Sequence, residues 1–341
     1  MRTILVTGGC GFIGSNFIRY MLDKYDDVFI INLDALTYCG NLDNLSDING
    51  INRYKFIQGD IGDFELVSSI FQEFKPDIVV NFAAESHNDR AVLNPRIFLE
   101  TNVLGTQNLL EVCKKFGIKR FHHISTCEVF GDLDLNDSNI FTESSPYKPR
   151  TPYNASKAAA DHVVRVYYHT FGVPITISNC GNNYGHYQYP EKLIPLFVTN
   201  ALEDKSLPLF KSSQNKREWV YVLDHCAAVD LILQHGKVGE SYNIGTGVEK
   251  SIEEIAAIIL KTLNKPETLK QYVQDRPGHD RRYALEWSKI KNELGWAPKI
   301  NFEEGIVETI LWYKNNPDWW KKLKNRSFKD YYDNYYSKLK L

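Results

Sequence analysis

The chain has 341 residues, of which 43% are hydrophobic and 24% are charged, and its formal net charge is −2. This near-neutral balance predicts no nucleic acid partner and no attraction to an anionic membrane surface. Apolar runs stay short of the roughly 20 residues that span a bilayer. The six scattered cysteines favour neither disulfides nor a metal site. We expect a cytoplasmic protein that starts directly with a strand and has no signal peptide.

The first predicted element is an apolar strand at residues 4–6, which runs into a glycine-rich turn and then a helix. Gly8 and Gly11 allow the backbone to approach a pyrophosphate at the helix N-terminus, and Gly14 lets the helix pack closely on the strand. This order is the context that a dinucleotide site requires. The predicted cofactor contacts in the turn are Gly8, Gly11, Phe12, Ile13 and Gly14.

Three further strands are predicted at residues 28–33, 55–61 and 77–84, the last of them fully apolar. The first of them ends at Asp34, whose carboxylate can accept hydrogen bonds from the adenosine ribose and would repel a 2′-phosphate, which favours NAD over NADP. A helix cap or a turn residue is the alternative for Asp34. Further predicted cofactor contacts at the ends of these strands are Asp60, Ile61, Ala83 and Ala84.

A dense polar run at residues 85–90 follows the strand at 77–84. Ligands of parallel sheets bind at the carboxyl edge, so this position favours a binding site over a surface loop. Ser86 and His87 are therefore candidate substrate contacts. Residues 102–115 show helical spacing. Asn102 is a candidate cofactor contact, with an internal polar support or a plain buried helix position as alternatives.

The fifth predicted strand delivers three candidate catalytic residues to the same edge, namely Thr126, Cys127 and Glu128. Tyr153 and Lys157 follow on one face of a helix. A phenol has a pKa of about 10, and a nearby ammonium group lowers it by favouring the phenolate. Tyr153 could then take a proton from a sugar hydroxyl while a hydride leaves the same carbon. A tyrosine at this spacing from a lysine is common, and a cysteine after a strand is usually a small buried hydrophobe, so the upstream glycine turn carries the interpretation.

Beyond residue 180 the pattern changes to polar, aromatic loops and short strands. Residues 182–192 show no periodicity, which favours a binding loop over a core element. Arg217 precedes a predicted strand, and Arg276 and Arg281 lie in a loop rich in cations. Guanidinium groups pair bidentately with phosphate oxygens, so these arginines are candidates for a diphosphate. A solvated surface charge is the alternative for each.

Apolar runs that alternate with helical segments predict a buried parallel sheet. We expect an α/β fold, a Rossmann-type doubly wound parallel sheet with a smaller C-terminal α+β substrate lobe. Residues 1–180 would form the NAD-binding domain with the catalytic residues. Residues 181–341 would form mainly the substrate lobe, and the chain is free to cross back to the first domain.

These segments together resemble the extended short-chain dehydrogenase/reductase family and, within it, the nucleotide-sugar 4,6-dehydratases of the dTDP-glucose type. The likeness covers nearly the whole chain and rests on TGGCGFIGSNFIRY, FAAESHNDR, STCEVFG, YNASKAAADH, NNYGHYQYPEKLIP, DRPGHDRRY and the run at residues 34–41. It implies a tightly held and recycled NAD, a nucleotide-diphosphate hexose as substrate and a homodimer formed through a helix bundle.

The resemblance also implies a mechanism. Tyr153 removes the C4 hydroxyl proton as hydride passes from C4 to NAD, and Glu128 removes the C5 proton. An acid beside Glu128 protonates the C6 hydroxyl, water leaves, and hydride returns to C6 to give a 4-keto-6-deoxy sugar. Matching by position makes six residues contacts of the nucleotide diphosphate, namely Asn182, Glu191, Lys192, Arg217, Asn243 and Arg276.

The sequence departs from the family at Cys127, where an aspartate usually serves as the acid for the C6 hydroxyl. A thiol is the weaker acid, with a pKa of about 8.5 against about 3.9 for Asp. Either Glu128 carries both proton transfers, or hydride returns to C4 and leaves a 5,6-ene sugar. The STCE segment is also similar to that of the exo-glycal-forming dehydratase of tunicamycin biosynthesis. That similarity favours UDP-N-acetylglucosamine over dTDP-glucose.

Three other interpretations stay open. The first is a dTDP-glucose 4,6-dehydratase that tolerates the cysteine. The second is a non-catalytic protein that binds NAD and a nucleotide sugar. The third is a C4 epimerase or 4-ketoreductase, which needs no C5 base and would keep its activity after Glu128→Gln.

Overall fold

The computed structural model describes residues 2–275, 277–324, 328, 330, 332 and 335. Its largest element is a parallel seven-stranded sheet with the spatial order β10-β6-β5-β4-β1-β2-β3. These strands are β1 Arg2–Thr7, β2 Val28–Asp34, β3 Tyr54–Gln58, β4 Ile78–Asn81, β5 Arg120–Thr126, β6 Ile175–Cys180 and β10 Ser241–Ile244. The predicted α/β class and parallel sheet are confirmed.

Helices cover both faces of this sheet. They are α1 Phe12–Lys24, α2 Phe64–Phe74, α3 Asn88–Leu93, α4 Pro95–Leu99, α5 Thr106–Phe116, α6 Pro152–Phe171, α8 Val222–His235 and α10 Ser288–Leu294. Side chains alternate between the faces along each strand. Ile4 and Val6 pack with α1, α8 and α10, whereas Leu5 packs with α2, α5 and α6. Burial on both faces explains why β1, β2 and β4 appear in the sequence as largely apolar runs.

The order of the strands reverses between β1 and β4. From β1 the chain builds outward through β2 and β3, and from β4 it builds the other way through β5 and β6. The loops after β1 and β4 therefore diverge and leave a crevice at the carboxyl edge. Open parallel sheets bind their ligands at such a switch point.

A second lobe carries the three-stranded sheet β11-β9-β7 and the two-stranded sheet β12-β8. Its elements are β7 Asn182–Tyr184, α7 Leu193–Leu202, β8 Leu207–Phe210, β9 Lys216–Tyr221, β11 Glu249–Ser251, α9 Ile252–Thr262, β12 Lys270–Val273, α11 Phe302–Asn315 and α12 Pro317–Leu323. The lobe has its own apolar core, which includes Phe197, Trp219 and Tyr313. No helix within the described ranges is both long and apolar enough to cross a bilayer.

The structure refines the sequence prediction in three places. The helix predicted at 102–115 starts with a π-helical turn, Glu100–Gly105, before α5. The wider turn aims Asn102 at the loop after β4, and π turns of this kind often occur at functional sites. The loop predicted at 182–192 contains β7. After residue 180 the chain returns to the first sheet, because β10 pairs with β6 and α8 packs on α1.

Candidate active site

A cavity of about 290 Å³ opens at the carboxyl edge of the large sheet and reaches the second lobe. Its lining includes most of the predicted site residues, namely Gly8, Gly11, Phe12, Ile13, Gly14, Asp34, Asp60, Ile61, Ala83, Ala84, Ser86, Thr126, Glu128, Tyr153, Lys157, Asn182, Glu191 and Lys192. These residues are far apart in the sequence. The fold therefore brings the predicted cofactor, catalytic and substrate groups into one space.

The glycine turn keeps side chains out of the cavity floor. Gly8 has a φ of +70°, and a Cβ at this position would lie 2.7 Å from the backbone nitrogen of Ala83. A Cβ on Gly14 would collide with the Gly8 carbonyl oxygen. Gly11 precedes α1 and supplies no side-chain cap, which leaves the first N–H groups of the helix for an anion. The turn thus fits a phosphate lying against the backbone.

Asp34 ties the glycine turn to the end of β2. Its carboxylate accepts the backbone N–H groups of Cys10 and Leu36, each at 2.8 Å. Burial raises the pKa of the Asp34 carboxyl, and these two hydrogen bonds partly offset that increase. The turn-residue interpretation therefore describes part of what Asp34 does. Its contact with a ribose stays a prediction.

Asn102 lies beneath the loop that follows β4. Its side chain accepts the N–H of Glu85 and donates to the carbonyl of Glu85, both at 2.9 Å, and also donates to Ser156 of α6 at 2.8 Å. Among the described residues, Asn102 and His87 do not line the cavity. Asn102 is thus an internal support for the loop, and a cofactor contact by Asn102 and a substrate contact by His87 stay predictions.

Three candidate catalytic side chains meet at one end of the cavity. Thr126 ends β5, and its hydroxyl accepts the N–H of Glu128 at 3.3 Å and acts to lower the pKa of the Tyr153 phenol. Tyr153 stands in the first turn of α6, where Thr151 caps the helix by accepting the N–H of Asn154. A hydroxyl, a carboxylate and a phenol therefore surround the same space.

The pKa of the Tyr153 phenol shifts in the direction opposite to the prediction. Burial raises the pKa of its phenol well above the ordinary value of 10, and the neighbouring Glu128 raises it further. The predicted lowering by Lys157 is wrong for this structure, because strand β5 engages the ammonium group. Lys157 Nζ donates to the Ile124 carbonyl at 2.7 Å and lies 3.2 Å from Nε2 of His123. Burial lowers the pKa of Lys157 from 10.5 to about 8.

Cys127 occupies a core position. It is 1% exposed and packs in an apolar cluster that includes Phe130, Tyr283 and Leu285. Burial raises the pKa of its thiol well above the ordinary value, so the thiol is protonated at neutral pH. Among the described residues that line the cavity, Glu128 is present and Cys127 is not. A catalytic role for Cys127 stays a prediction.

Arg217 is buried beside the cavity. Its guanidinium donates to the carbonyls of Lys216 at 2.7 Å and Asp280 at 2.9 Å, and it lies 4.7 Å from the centre of the Tyr283 ring. The described cavity lining does not include Arg217. A bidentate contact with a diphosphate would require the guanidinium to exchange these carbonyls for phosphate oxygens, and it stays a prediction.

The remaining predicted substrate residues have different positions. Asn243 donates to the carbonyls of Phe141 and Glu286, both at 3.1 Å, and lies outside the described lining of the cavity. Arg276 lies outside the described residues. Arg281, with a side chain that is 46% exposed, forms surface ion pairs with acidic residues. Diphosphate contacts by Asn243 and Arg276 stay predictions.

Sequence reasoning missed a cluster of aromatic and cationic side chains around the predicted Glu191. The Arg90 guanidinium lies 3.8 Å from the centre of the Tyr38 ring and donates to Glu191 at 2.7 Å. Tyr189 meets the Tyr38 ring edge-on at 5.6 Å. This cluster joins the loop after β2, helix α3 and the second lobe. Asn182, which also lines the cavity, has an Oδ1 that is buried without a hydrogen-bond partner among the described residues.

Comparison with known proteins identifies the family. Residues 5–309 match the family model described as GDP-mannose 4,6 dehydratase. A dTDP-glucose 4,6-dehydratase from Xanthomonas campestris pv. campestris is 46% identical over 337 residues, which covers 94% of this chain and 95% of that protein. Another from Salmonella typhimurium is 44% identical over 356 residues and covers 98% of each chain.

Solved structures agree with these relatives. The dTDP-glucose 4,6-dehydratase of Bacillus anthracis, in complex with NAD, has a TM-score of 0.89 and 48% identity, covering 95% of this chain and 100% of its own. The Streptomyces venezuelae enzyme, solved with NAD bound, has a TM-score of 0.91 and 46% identity, covering 94% and 100%. A UDP-glucose 4-epimerase from Thermotoga maritima has a TM-score of 0.85 but only 27% identity, covering 92% and 99%. The chain therefore belongs to the GDP-mannose 4,6 dehydratase family and is more similar to these dTDP-glucose 4,6-dehydratases than to this epimerase.

Proposed function

We propose that this chain is an NAD-dependent nucleotide-sugar 4,6-dehydratase and that its substrate is dTDP-glucose. The observation that carries the proposal is that Glu128 and Tyr153 line the same cavity as the glycine turn. A dehydrogenase or an epimerase needs one acid–base group at C4, whereas a dehydratase needs a second base for the C5 proton. Glu128 beside Tyr153 supplies that second group.

The residues present fit NAD. The glycine turn offers backbone to a pyrophosphate, and Asp34 lies at the end of β2 where an adenosine ribose would lie. Lys157 and Tyr153 line the far end of the same cavity. Bound NAD would supply a hydride acceptor and a positive charge that favours the Tyr153 phenolate. Asp60, Ile61, Ala83 and Ala84 would line its path.

Tyr153 and Glu128 then carry out different proton transfers. Tyr153, which lines the cavity together with Thr126, takes the proton of the C4 hydroxyl as that carbon is oxidised. The new C4 ketone acidifies the C5 proton, and the Glu128 carboxylate takes it. The C5–H electron pair forms the C5–C6 double bond as the C6 hydroxyl leaves as water with a proton. The hydride taken from C4 returns to C6, and C5 takes up a proton from solvent, to which Tyr153 releases the C4 hydroxyl proton; this completes a 4-keto-6-deoxy sugar.

We assign the proton for the departing C6 hydroxyl to Glu128. Cys127 is buried in an apolar cluster outside the described cavity lining, whereas Glu128 has just accepted the C5 proton and faces the cavity. General acid–base transfer by one carboxyl group in two steps is ordinary chemistry. A diverted reaction that ends at a 5,6-ene is the alternative.

The substrate assignment rests on the relatives. Eight curated relatives with 42–46% identity are each named dTDP-glucose 4,6-dehydratase. The expectation of UDP-N-acetylglucosamine, which rested on Cys127, gains no support from them. Asn182, Glu191 and Lys192 line the cavity next to the second lobe and are the proposed contacts of the nucleotide diphosphate, with Ser86 on the hexose side.

A homodimer belongs to the same proposal. Large apolar side chains are exposed on helices that pack against one another around α6. They are Leu93 at 58%, Leu99 at 50%, Leu104 at 60% and Val166 at 51%. A second copy that covers this face would bury them, and exposed apolar groups of this density usually mark an interface.

Proton NMR of the purified protein with dTDP-glucose, and separately with UDP-N-acetylglucosamine, tests the function. A new C6 methyl doublet with dTDP-glucose supports the proposal. Two vinyl protons without a methyl signal would indicate a 5,6-ene instead. Conversion of UDP-N-acetylglucosamine alone would overturn the substrate, and no conversion of either sugar would favour a binding protein without turnover.

A further inference from the structure

A short hydrogen-bonded chain runs from helix α6 to Glu128 through Asn88. The Asn88 side-chain amide donates to Oε2 of Glu128 at 2.8 Å. Its carbonyl oxygen accepts the hydroxyl proton of Thr151 at 2.6 Å. Thr151 is the residue that caps α6, the helix of Tyr153. The chain therefore links the carboxylate of the proposed C5 base to the helix that presents the phenol.

The orientation of the Asn88 amide follows from its neighbours. A carboxylate only accepts hydrogen bonds, so the nitrogen of the amide must face Glu128. The carbonyl oxygen then faces Thr151, whose hydroxyl is free to donate to it because the hydroxyl oxygen accepts from the Asn154 N–H. Reversing the amide would place two acceptors together at 2.8 Å. Both ends of Asn88 thus favour one orientation.

Asn88 lies on a different element of the fold from the two residues that it joins. Asn88 begins α3, directly after the loop from β4, whereas Glu128 follows β5. Asn88 is half-buried, and Thr151 is 5% exposed. A hydrogen bond to a charged group in such a place is stronger than an exposed one. It restricts the rotation of a glutamate side chain that would otherwise sample several rotamers.

We propose that Asn88 is a positioning residue for the elimination step, because it holds the Glu128 carboxylate where it meets the C5 proton and then the C6 hydroxyl. This inference rests on the proposed dehydratase function. Asn88 itself neither gives nor takes a proton, since an amide does not titrate in this range. Thr151 supports it by fixing the amide and by holding α6 at the same point.

This role predicts different effects on oxidation at C4 and on elimination, and the two steps can be measured separately. Oxidation at C4 depends on Tyr153, so loss of Asn88 leaves it largely intact. Elimination depends on Glu128, so loss of Asn88 slows it. Reduced cofactor, seen at 340 nm, then accumulates during turnover. A residue that mattered only for folding would slow both steps together and give no such accumulation.

The experiment uses the full-length holoenzyme with dTDP-glucose, after conversion by the unaltered protein has been established. Asn88→Ala removes the donor. Asn88→Asp keeps the shape but places a second carboxylate against Glu128. Asn94→Ala is the matched control, because Asn94 lies at the other end of α3, is exposed and makes no side-chain cap hydrogen bond. Circular dichroism and a melting curve check that each variant is folded.

We expect Asn88→Ala to slow product formation about 10-fold or more, the loss typical of a hydrogen bond to a charged group. Deuterium uptake at C5 in D₂O slows in parallel, and absorbance at 340 nm rises. Asn88→Asp is slower still, and Asn94→Ala matches the unaltered protein. Thr151→Val repeats the accumulation, and Thr151→Ser restores normal turnover.

Two results would overturn the inference while leaving the proposed function intact. One is an Asn88→Asp variant with the normal rate, which would mean that shape alone matters. The other is a slow Asn88→Ala variant without accumulation at 340 nm. Failure of the unaltered protein to convert dTDP-glucose would instead refute the proposed function itself.

Discussion

Replacing Lys157 by methionine should abolish turnover yet stabilise the nucleotide-free protein at neutral pH. Lys157 is 3% exposed, and burial lowers its pKa from 10.5 to about 8. Keeping this ammonium group charged at pH 7 therefore destabilises the folded state. Methionine has a similar length and carries no charge, so it removes the penalty. Its cost is the loss of the hydrogen bond to the Ile124 carbonyl and of the contact with His123.

Removing the buried charge stabilises the protein by about as much as losing the polar contacts destabilises it. A pKa lowered to about 8 corresponds to a penalty of about 3 kcal/mol at pH 7. The lost polar contacts cost about 2 kcal/mol together. The variant should thus be more stable by about 1 kcal/mol at pH 7, a rise in Tm of about 2 °C for a protein of this size.

The pH dependence supplies the sharper result. Because the folded pKa lies below the ordinary one, the unfolded chain binds the proton more tightly between about pH 8 and 10.5, and the stability of the unaltered protein rises with pH over that window. Methionine removes this slope. The order of stability should therefore reverse near pH ~9, and by pH 10 the variant should be the less stable protein.

Urea unfolding of both proteins between pH 7 and 10, after removal of bound nucleotide has been checked by absorbance, measures the difference directly. Subtracting the two curves cancels the titration of groups that both proteins share. Lys157→Arg serves as a control that retains the charge and should not gain stability at pH 7. A methionine variant that is less stable at every pH would refute the reasoning.

Three further predictions follow from the site and the exposed helix face. Glu128→Gln should lower the rate of dehydration by about 10²- to 10⁴-fold, as loss of a general base does, and unchanged activity would favour a C4 epimerase or reductase. Cys127→Ala should keep the same product by NMR and a rate within about threefold, because we propose that Glu128 carries both proton transfers; a much larger loss would place the thiol in the proton path. Leu104→Glu should convert the proposed dimer into a monomer in sedimentation velocity, because Leu104 is 60% exposed on the proposed interface; a variant with the same mass as the unaltered protein would contradict this interface.

Local patterns in the sequence were sufficient for much of the fold. Strands β1, β2 and β4 are predicted because most of their residues are buried and they contain short, largely apolar runs. The glycine turn is predicted because only glycine tolerates a φ of +70° with a neighbouring strand so close to Gly8. Tyr153 and Lys157 were found from their spacing, since that spacing alone places them on one helix face.

Contacts between distant segments could not be predicted in this way. Asn88 and Glu128 are 40 residues apart, and Arg90 and Glu191 are 101 apart, so no local pattern joins either pair. The pairing of β10 with β6 also depends on contacts between distant segments and not on a local pattern. The pKa of Tyr153 was predicted in the wrong direction, because burial outweighs a lysine whose ammonium group is engaged elsewhere.

The measurement that tests the central claim most directly is the fate of a deuterium label in dTDP-glucose deuterated at C4. Oxidation at C4, elimination across C5 and C6 and return of the same hydride to C6 predict a product whose C6 methyl group carries one deuterium. Proton NMR and the mass of the product report this transfer together. Deuterium that remains at C4, with no methyl group formed, would contradict the account.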